Sequence, residues 1–282
     1  MKFRYLIFLL FSILILVWVA VLTFPQEKLK VVFCNVGQGD ATLAVFGSTQ
    51  VLIDGGSGSR VLSCLSQHMP FWDKTIEMII LTHPDYDHMA GLLPVLERYR
   101  LKQFVANGLL VDKEIFWQIR KQIDQKNIPV FVPQSGDEFK IGKLSFKILW
   151  PSERKGDVLG SQVFSGETND FSIVSKLSYG NFDLLLTGDL PTEEEIKIKE
   201  EIGDIEVLKV AHHGSKFSTS LAFLEAITPE LSVISVGNNN YGHPSPEVLE
   251  RLKKLNIEVK RTDLDGEIVV VSDGQNWYTL KK

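Results

Sequence analysis

"IILTHPDYDH", residues Ile79 to His88, closes an apolar run with two histidines and two aspartates packed into six positions. A strand leaving a sheet needs a polar turn, and Asp85 or Asp87 suits the cap of a helix running through HMAGLLPVLERY. A cap uses one carboxylate. It has no need of two carboxylates flanked by two imidazoles. Imidazole and carboxylate ligands that leave positions open for water are the donor set of hydrolytic metal sites.

The same pattern recurs along the chain. Apolar runs release ligand-type side chains at Asp54 (VLID-GG), Asp189 (LLLT-GD), His212 and His213 (LKVA-HH-GS) and, more loosely, His243 (ISVGNNNYGH). Of the six histidines only His68 lies elsewhere. Strand ends on one edge of a sheet converge, so residues remote in sequence can surround one point. Each stretch alone has a plainer reading: LIDGG and TGD are ordinary strand-to-turn endings, and Asn238 to Asn240 are turn formers. Adjacent histidines leaving a strand should point in opposite directions, which predicts one ligand at most from the His212–His213 pair. His243 sits just ahead of Ser245, the expected N-cap of a helix whose positive end would welcome an anion.

Short apolar runs dominate the rest: LKVVFCNV, ATLAVF, QVLID, EMIILT, IPVFV, LSFKILW, FSIVSKL, FDLLLTGD, EVLKVA, LSVISVG, EIVVVS and WYTL. Their length, β-branched content and Gly, Asp, Asn or Pro borders read as buried strands. Helices fall singly between them. One follows Asp112, with Ile115, Phe116, Ile119 and Ile123 as its stripe. A second opens on a capping box from Thr192 to Glu195. A third opens on Ser245-Pro246, with Val248, Leu249, Leu252 and Leu255 on one face. Two packed sheets flanked by helices fit this α/β pattern better than a doubly wound sheet.

The N-terminus is different. Lys2 and Arg4 precede an uncharged run from Tyr5 to Phe24, and twenty such residues at ~1.5 Å each would cross a bilayer core of about 30 Å. The basic flank predicts residues 1–25 as a membrane anchor with residues 26–282 on the extracytoplasmic side. A cleaved signal peptide, giving a secreted protein, is the rival, but WVAVLTFPQ is a poor cleavage site. Without Lys2 and Arg4, 28 basic residues face 35 acidic ones, a balance of −7. That sign opposes a broad nucleic-acid footprint, so a polyanion would have to be gripped locally, by residues such as Lys209, Lys216, Arg251, Lys253, Lys254, Lys260 and Arg261. Cys34 and Cys64 lie in apolar surroundings, too few and too far apart for a disulfide framework, and read as two buried free thiols.

Taken together, these residues resemble the metallo-β-lactamase superfamily, whose signature loop is HxHxDH after a strand. The nearer resemblance is to the branch formed by the C-terminal domain of the competence protein ComEC. Its motifs stand here in order as Val36-Gly37-Gln38-Gly39-Asp40, Leu52 to Gly56, His83 to His88, Thr187-Gly188-Asp189, His212-His213-Gly214-Ser215 and Tyr241-Gly242-His243-Pro244-Ser245. The resemblance implies an αββα sandwich of two mixed sheets with a dinuclear metal site at one edge. It would place His83 and Asp85 on one ion and Asp87 and His88 on the other. Asp189 would bridge them, and His212 or His213 would complete the second. Asp54 would stand behind the loop and orient it by hydrogen bonds. Asp85 replaces the usual second histidine, as is normal for that branch. No histidine lies between His88 and His212, so the superfamily's middle histidine is missing and Asn169 occupies the comparable stretch. An oxygen-rich site tilts the choice toward Mn²⁺ or Mg²⁺ relative to an all-imidazole zinc site, and the expected ions are two of Mn²⁺ or Zn²⁺, with Mg²⁺ as the alternative.

Such a site implies a metal-dependent hydrolase. Two divalent ions about 3.5–4 Å apart would hold a hydroxide and clamp a phosphoryl or acyl oxygen. Asp87 would take part in that chemistry, His213 or His243 would protonate the leaving group, and Ser215 and Lys216 would bind a phosphate. The expected activity is a phosphodiesterase or nuclease acting on DNA outside the membrane, beside a DNA-uptake channel. Hydrolysis of a small ester, lactone or cell-envelope phosphoester is the second reading, and a non-catalytic envelope binding protein the third.

Overall fold

The computed structural model describes residues 2–23, 27–154 and 163–280. Its strands form two sheets. The first has eight strands in the order β15 (Trp277–Thr279), β14 (Ile268–Ser272), β1 (Leu29–Phe33), β2 (Thr42–Phe46), β3 (Thr49–Ile53), β4 (Thr75–Leu81), β5 (Arg100–Ala106) and β6 (Val130–Phe131). The second has seven, in the order β13 (Glu258–Arg261), β12 (Leu231–Ile234), β11 (Val207–Lys209), β10 (Phe182–Leu186), β9 (Val174–Tyr179), β8 (Leu144–Trp150) and β7 (Glu138–Ile141).

Three apolar layers hold these sheets. Between them, Val31, Phe33, Met78 and Ile80 of the first sheet meet Phe146, Leu177, Leu184 and Val207 of the second. The outer face of the first sheet, with Ile76, Ile79 and Leu81, packs under α2 (Arg60–His68), α4 (Leu92–Arg98) and α5 (Glu114–Gln125). The outer face of the second packs under α6 (Thr192–Ile202), α7 (Leu221–Ile227) and α8 (Pro246–Lys254). The expected αββα sandwich is borne out. Central strands such as β4 are covered on both faces, which is why EMIILT reads as an unbroken apolar run rather than an alternation. The short helices α3 (Tyr86–Met89) and α9 (Thr262–Asp265) complete the set after α1 (Lys2–Thr23).

Topology aims one edge of both sheets at the same place. β3, β4, β5 and β6 run parallel, as do β10, β11, β12 and β13. The carboxyl ends of β3, β4, β10, β11 and β12 therefore release Asp54, the His83–His88 turn, Asp189, His212–His213 and the loop to His243. Ligands gather at such strand ends in parallel sheets.

Four local expectations differ. Cys34 and Cys64 are bonded as a disulfide, not free thiols. Both belong to the layer beneath α2, where β1 and the helix come side by side, so distance in sequence was a poor guide. Helix α5 is capped at Lys113, while Asp112 accepts a bond from the Trp117 indole at 3.4 Å. Helix α6 begins after Pro191 without a side-chain cap. Its Glu195 is buried and accepts instead from the backbone N–H groups of Thr219 and Ser220, at 2.6 and 3.1 Å. By contrast, Ser245 caps α8 as expected, accepting from the Val248 N–H. At the N-terminus, the described side chains of α1 are exposed. Among the described residues no helix is long and apolar enough to cross a membrane. The end of the expected anchor, Phe24 and Pro25, lies outside the described residues, as do the side chains of Leu16, Val17 and Val19 to Thr23.

Candidate metal centre

The turn after β4 is built by close backbone contact. Asp54 takes a left-handed conformation, its N–H bonded to the Ile80 carbonyl, and the Gly55 N–H bonds the His88 carbonyl. A Cβ on Gly91 would collide with the Gly55 carbonyl, so the two glycines let α4 begin directly beneath LIDGG. Gly39 does the same on the other side. A Cβ there would strike the Asp87 carbonyl oxygen, and the next residue, Asp40, donates its N–H to that oxygen at 3.1 Å. The glycines of VGQGD thus press Asp40 against the turn.

Asp189 lies at the centre. Its Oδ1 is 3.3 Å from His88 Nε2, and its Oδ2 is 3.9, 3.7 and 3.6 Å from Nε2 of His83, His212 and His213. Asp87 Oδ2 is 3.2 Å from His213 Nε2, and Asp85 Oδ2 is 3.9 Å from His83 Nε2. Residues of the two sheets therefore meet at one carboxylate. His83–His88–Asp189 and Asp87–His88–His213 each bring three ligand atoms within 4.8 Å of one another.

The far side of each imidazole is tied down. His88 Nδ1 lies 2.8 Å from Asp54 Oδ2, and His213 Nδ1 lies 2.9 Å from the Ser235 carbonyl. Both partners only accept when the aspartate is ionised, so these nitrogens carry the protons and Nε2 turns its lone pair inward. The Thr82 hydroxyl donates to Asp54 Oδ2 and stands 3.0 Å from His83 Nδ1. Asp54 thus stands behind the turn, bonded to the Thr82 N–H and hydroxyl and to His88 Nδ1. The inward atoms, Nε2 of His83, His88 and His213 and Oδ1 of Asp189, are buried without hydrogen-bond partners. Buried polar atoms are rarely left so, and an array of nitrogen and carboxylate donors aimed at one space fits a divalent cation.

Electrostatics agree. Burial and its histidine neighbour hold His83 neutral, with its pKa lowered to about 3. Burial opposes a charge on His88 and His213 too, yet the Asp189 carboxylate and further aspartates outweigh it: His88 is pushed well above the usual range and His213 up to about 10. Asp189 is held well below the usual carboxylate range, since His88, His213 and His83 overcome the cost of burial. The pocket thus demands positive charge, which protons on these rings or a cation can supply.

Two residues outside the expected site take part. Lys209, on β11, is buried and forms an ion pair with Asp40; it donates to the Gly188 carbonyl at 2.9 Å and lies 3.8 Å from Asp189 Oδ1. Asp40 Oδ1 is 3.4 Å from His213 Nδ1. Asp40 was visible in the VGQGD motif, but nothing in the sequence ties it to Lys209. Asp85 has Oδ1 engaged by Lys113 Nζ and Thr168 Oγ1, both at 2.7 Å, which leaves Oδ2 toward His83. Asn169 lies in the turn Asn169–Phe171 leading into β9, with its side-chain oxygen buried and lacking a hydrogen bond.

Several expectations change. His212 and His213 do not diverge. Both adopt left-handed backbone (φ 50° and 54°), which breaks strand alternation and turns both rings toward Asp189. Ser215 and Lys216 do not line the cleft. Ser215 is buried and accepts from the Phe217 N–H, while Lys216 is exposed on a separate depression with Arg251. Three of the basic residues expected to grip a polyanion are also occupied elsewhere. Arg251 donates to the carbonyls of Ser218, Thr219 and Lys216, Lys260 pairs with Glu258, and Arg261 pairs with Asp263. His243 does reach the cleft, its ring 5.5 Å from that of His212.

The model of the metallo-beta-lactamase superfamily matches residues 34–237, which take in Asp40, Asp54, the His83–His88 turn, Asp189 and His212–His213 but not the His243 loop. The chain belongs to the metallo-β-lactamase superfamily. It is 31% identical over 198 residues to the ComE operon protein 3 of Bacillus subtilis and 31% identical over 241 residues to Recombination protein 2 of Haemophilus influenzae. Those matches cover 69% and 84% of this chain but 24% and 28% of the relatives, so it spans about a quarter of their length. Among solved structures, the metallo-β-lactamase fold protein YhfI from Bacillus subtilis superposes with a TM-score of 0.56 at 15% identity, over 84% of this chain and 97% of the other. That likeness speaks for the fold. Family membership makes this superfamily chain, similar to ComEC-like competence proteins, a metal-dependent hydrolase.

Proposed function

We propose that the chain is a phosphodiesterase, and specifically a nuclease acting on DNA outside the cytoplasm. The carrying observation is the ring of inward-facing nitrogens and carboxylates around Asp189, open to solvent through a cleft of about 400 Å³. In this reading His83 and Asp85 would hold one divalent ion and Asp87, His88 and His213 would hold the other, with the Asp189 carboxylate facing both sets. Two such ions supply a nucleophile at neutral pH and charge to stabilise a phosphoryl group. The chain's own part is to fix the geometry. Asp54 and the Ser235 carbonyl hold the His88 and His213 rings in register, and Lys209 with Asp40 braces Asp189 from below. His243 and His212 stand at the cleft mouth, within reach of a leaving group; burial lowers the pKa of both and favours the neutral rings, so a proton passed on there has first to be taken up from the nucleophile or solvent.

Three observations support DNA and location. The curated relatives carry names of recombination and competence: Recombination protein 2 and, at 27% identity, Competence protein ComA of Neisseria gonorrhoeae. The Cys34–Cys64 disulfide suits an oxidising compartment. The exposed apolar side chains of α1, among them Phe3, Leu6 and Leu10, suit attachment to a membrane, with the rest of the chain beyond it. A DNA-uptake channel is the natural partner.

The test uses the full-length chain with Mn²⁺, Zn²⁺ or Mg²⁺, labelled DNA and bis-p-nitrophenyl phosphate. Metal-dependent cleavage of DNA that disappears in Asp87→Ala and Asp189→Ala is expected. Cleavage of the small diester alone would favour a small-ester hydrolase. No bound metal and no hydrolysis of either would leave a binding protein.

A further inference from the structure

We propose that the substrate is an unpaired strand, held over the metal centre by two exposed tyrosines, Tyr86 and Tyr241, that stack on its bases. The inference rests on the phosphodiesterase reading and narrows its substrate class.

Both rings line the same cleft as Asp87, Asp189 and His213, yet they are 60% and 77% exposed. They arrive from different sheets: Tyr86 opens α3 after β4, and Tyr241 sits in the loop after β12. A large exposed aromatic side chain at the mouth of a polar site has no part in the core. Here there are two. Tyr241 is not on a slack loop. The Asn239 side-chain oxygen accepts from the N–H groups of Tyr241 and His243, at 3.0 and 3.1 Å. The Asn239 amide donates to the Gly237 and His243 carbonyls. The Tyr241 ring then lies beside that of His243, centroids 5.8 Å apart and planes 30° apart, presenting a flat, supported surface.

The charge around the cleft explains why stacking is needed. Among the described residues lining it there is no lysine or arginine, while Asp85, Asp87 and Asp189 face it. The nearest lysine at the rim, Lys113, is already engaged by Asp85 at 2.7 Å, so beyond the metal centre a strand's affinity rests largely on uncharged contacts. Base–aromatic stacking provides that without regard to sequence, since every base has a π face. A duplex hides those faces inside its own stack. Only an unpaired strand, or an end that has opened, can offer them to Tyr86 and Tyr241.

The experiment is fluorescence anisotropy with the full-length chain in Mn²⁺, using a labelled single-stranded oligonucleotide, a strand of equal length lacking all bases, and a duplex. The expected result is tighter binding of the base-bearing strand, by about five- to a hundred-fold over the base-free one for each base stacked, with the duplex weak. Tyr86→Leu with Tyr241→Leu should collapse that ratio toward one, and Phe at both positions should restore it. The salt dependence should be shallow, because few phosphate contacts are made by lysine or arginine. Equal affinity for the two single strands, or a ratio unchanged in the double Leu variant, overturns the clamp. If both strands are bound equally but cut, the clamp fails while the phosphodiesterase reading stands. If the tyrosine-dependent preference appears but no diester is cut, the clamp stands and the enzymatic reading fails.

Discussion

The floor of the cleft and its rim are built on opposite terms. On the floor, His83, His88, Asp189 and His213 are buried, and each ring has its outer nitrogen fixed by a neighbour. On the rim, His212, His243, Asp85, Asp87, Tyr86 and Tyr241 are partly or largely exposed, and several have no such anchor. The difference separates donors whose charge the fold itself must compensate from groups that reach toward solvent, with Asp85 and Asp87 standing on the border as rim carboxylates that face floor histidines. Floor residues carry charge that the fold must compensate. Rim residues can be exchanged without disturbing the core.

The largest effect should come from the floor's centre. Asp189→Ala removes the one carboxylate that every inward nitrogen faces, and activity should fall by about a thousand-fold or more. Metal content measured after dialysis should fall with it. An active Asp189→Ala enzyme would erase the distinction between floor and rim.

The disulfide comes next, because it pins the segment leading to Asp40 against α2. It closes a loop of 30 residues, and the chain-entropy relation gives about 3–4 kcal/mol for such a loop. Cys34→Ser with Cys64→Ser should lower the thermal midpoint correspondingly, as should reduction of the wild type. An unchanged midpoint would mean that the layer beneath α2 holds the Asp40 segment unaided.

Smaller still is Asp54→Asn. It keeps the shape but exchanges a carboxylate acceptor at His88 Nδ1 for an amide. Metal affinity, by competition with a chelator, should drop about 10- to 100-fold. Asp85→Asn at the rim should cost less, since Lys113 and Thr168 already occupy one of its oxygens.

The gentlest prediction concerns pH. Burial raises the pKa of Glu195, under the loop that carries His212 and His213, to about 7. A carboxyl raised in the folded state is favoured there in its neutral form. Stability from this group is complete below the unfolded value of about 4.5 and is lost as pH rises through about 7. Melting temperatures between pH 4.5 and 7.5 should show that decline in the wild type and less of it in Glu195→Gln.

The floor of the first sheet was the most legible part of the molecule. Four ligand-type residues in six positions have no structural excuse, and the unbroken apolar strands ahead of them gave the sandwich and its common edge. What stayed hidden depends on backbone handedness and long-range pairing. Left-handed conformations at His212 and His213 reverse the alternation from which divergent side chains were expected. The Lys209–Asp40 pair joins residues of different sheets, and no local pattern announces it. The disulfide joins the residue after β1 to α2 across a layer rather than within a cysteine-rich framework. The strands β5, β7 and β13 escaped because they mix charged and apolar residues at or near sheet edges, where one face meets solvent.

Anomalous diffraction from crystals of the full-length chain soaked in Mn²⁺ tests the central claim most directly. Two peaks about 3.5–4 Å apart, with Asp189 between them and His83 and His88 on either side, are expected. No peak at Asp189, or manganese bound only elsewhere on the chain, would contradict a metal centre assembled from the two sheets.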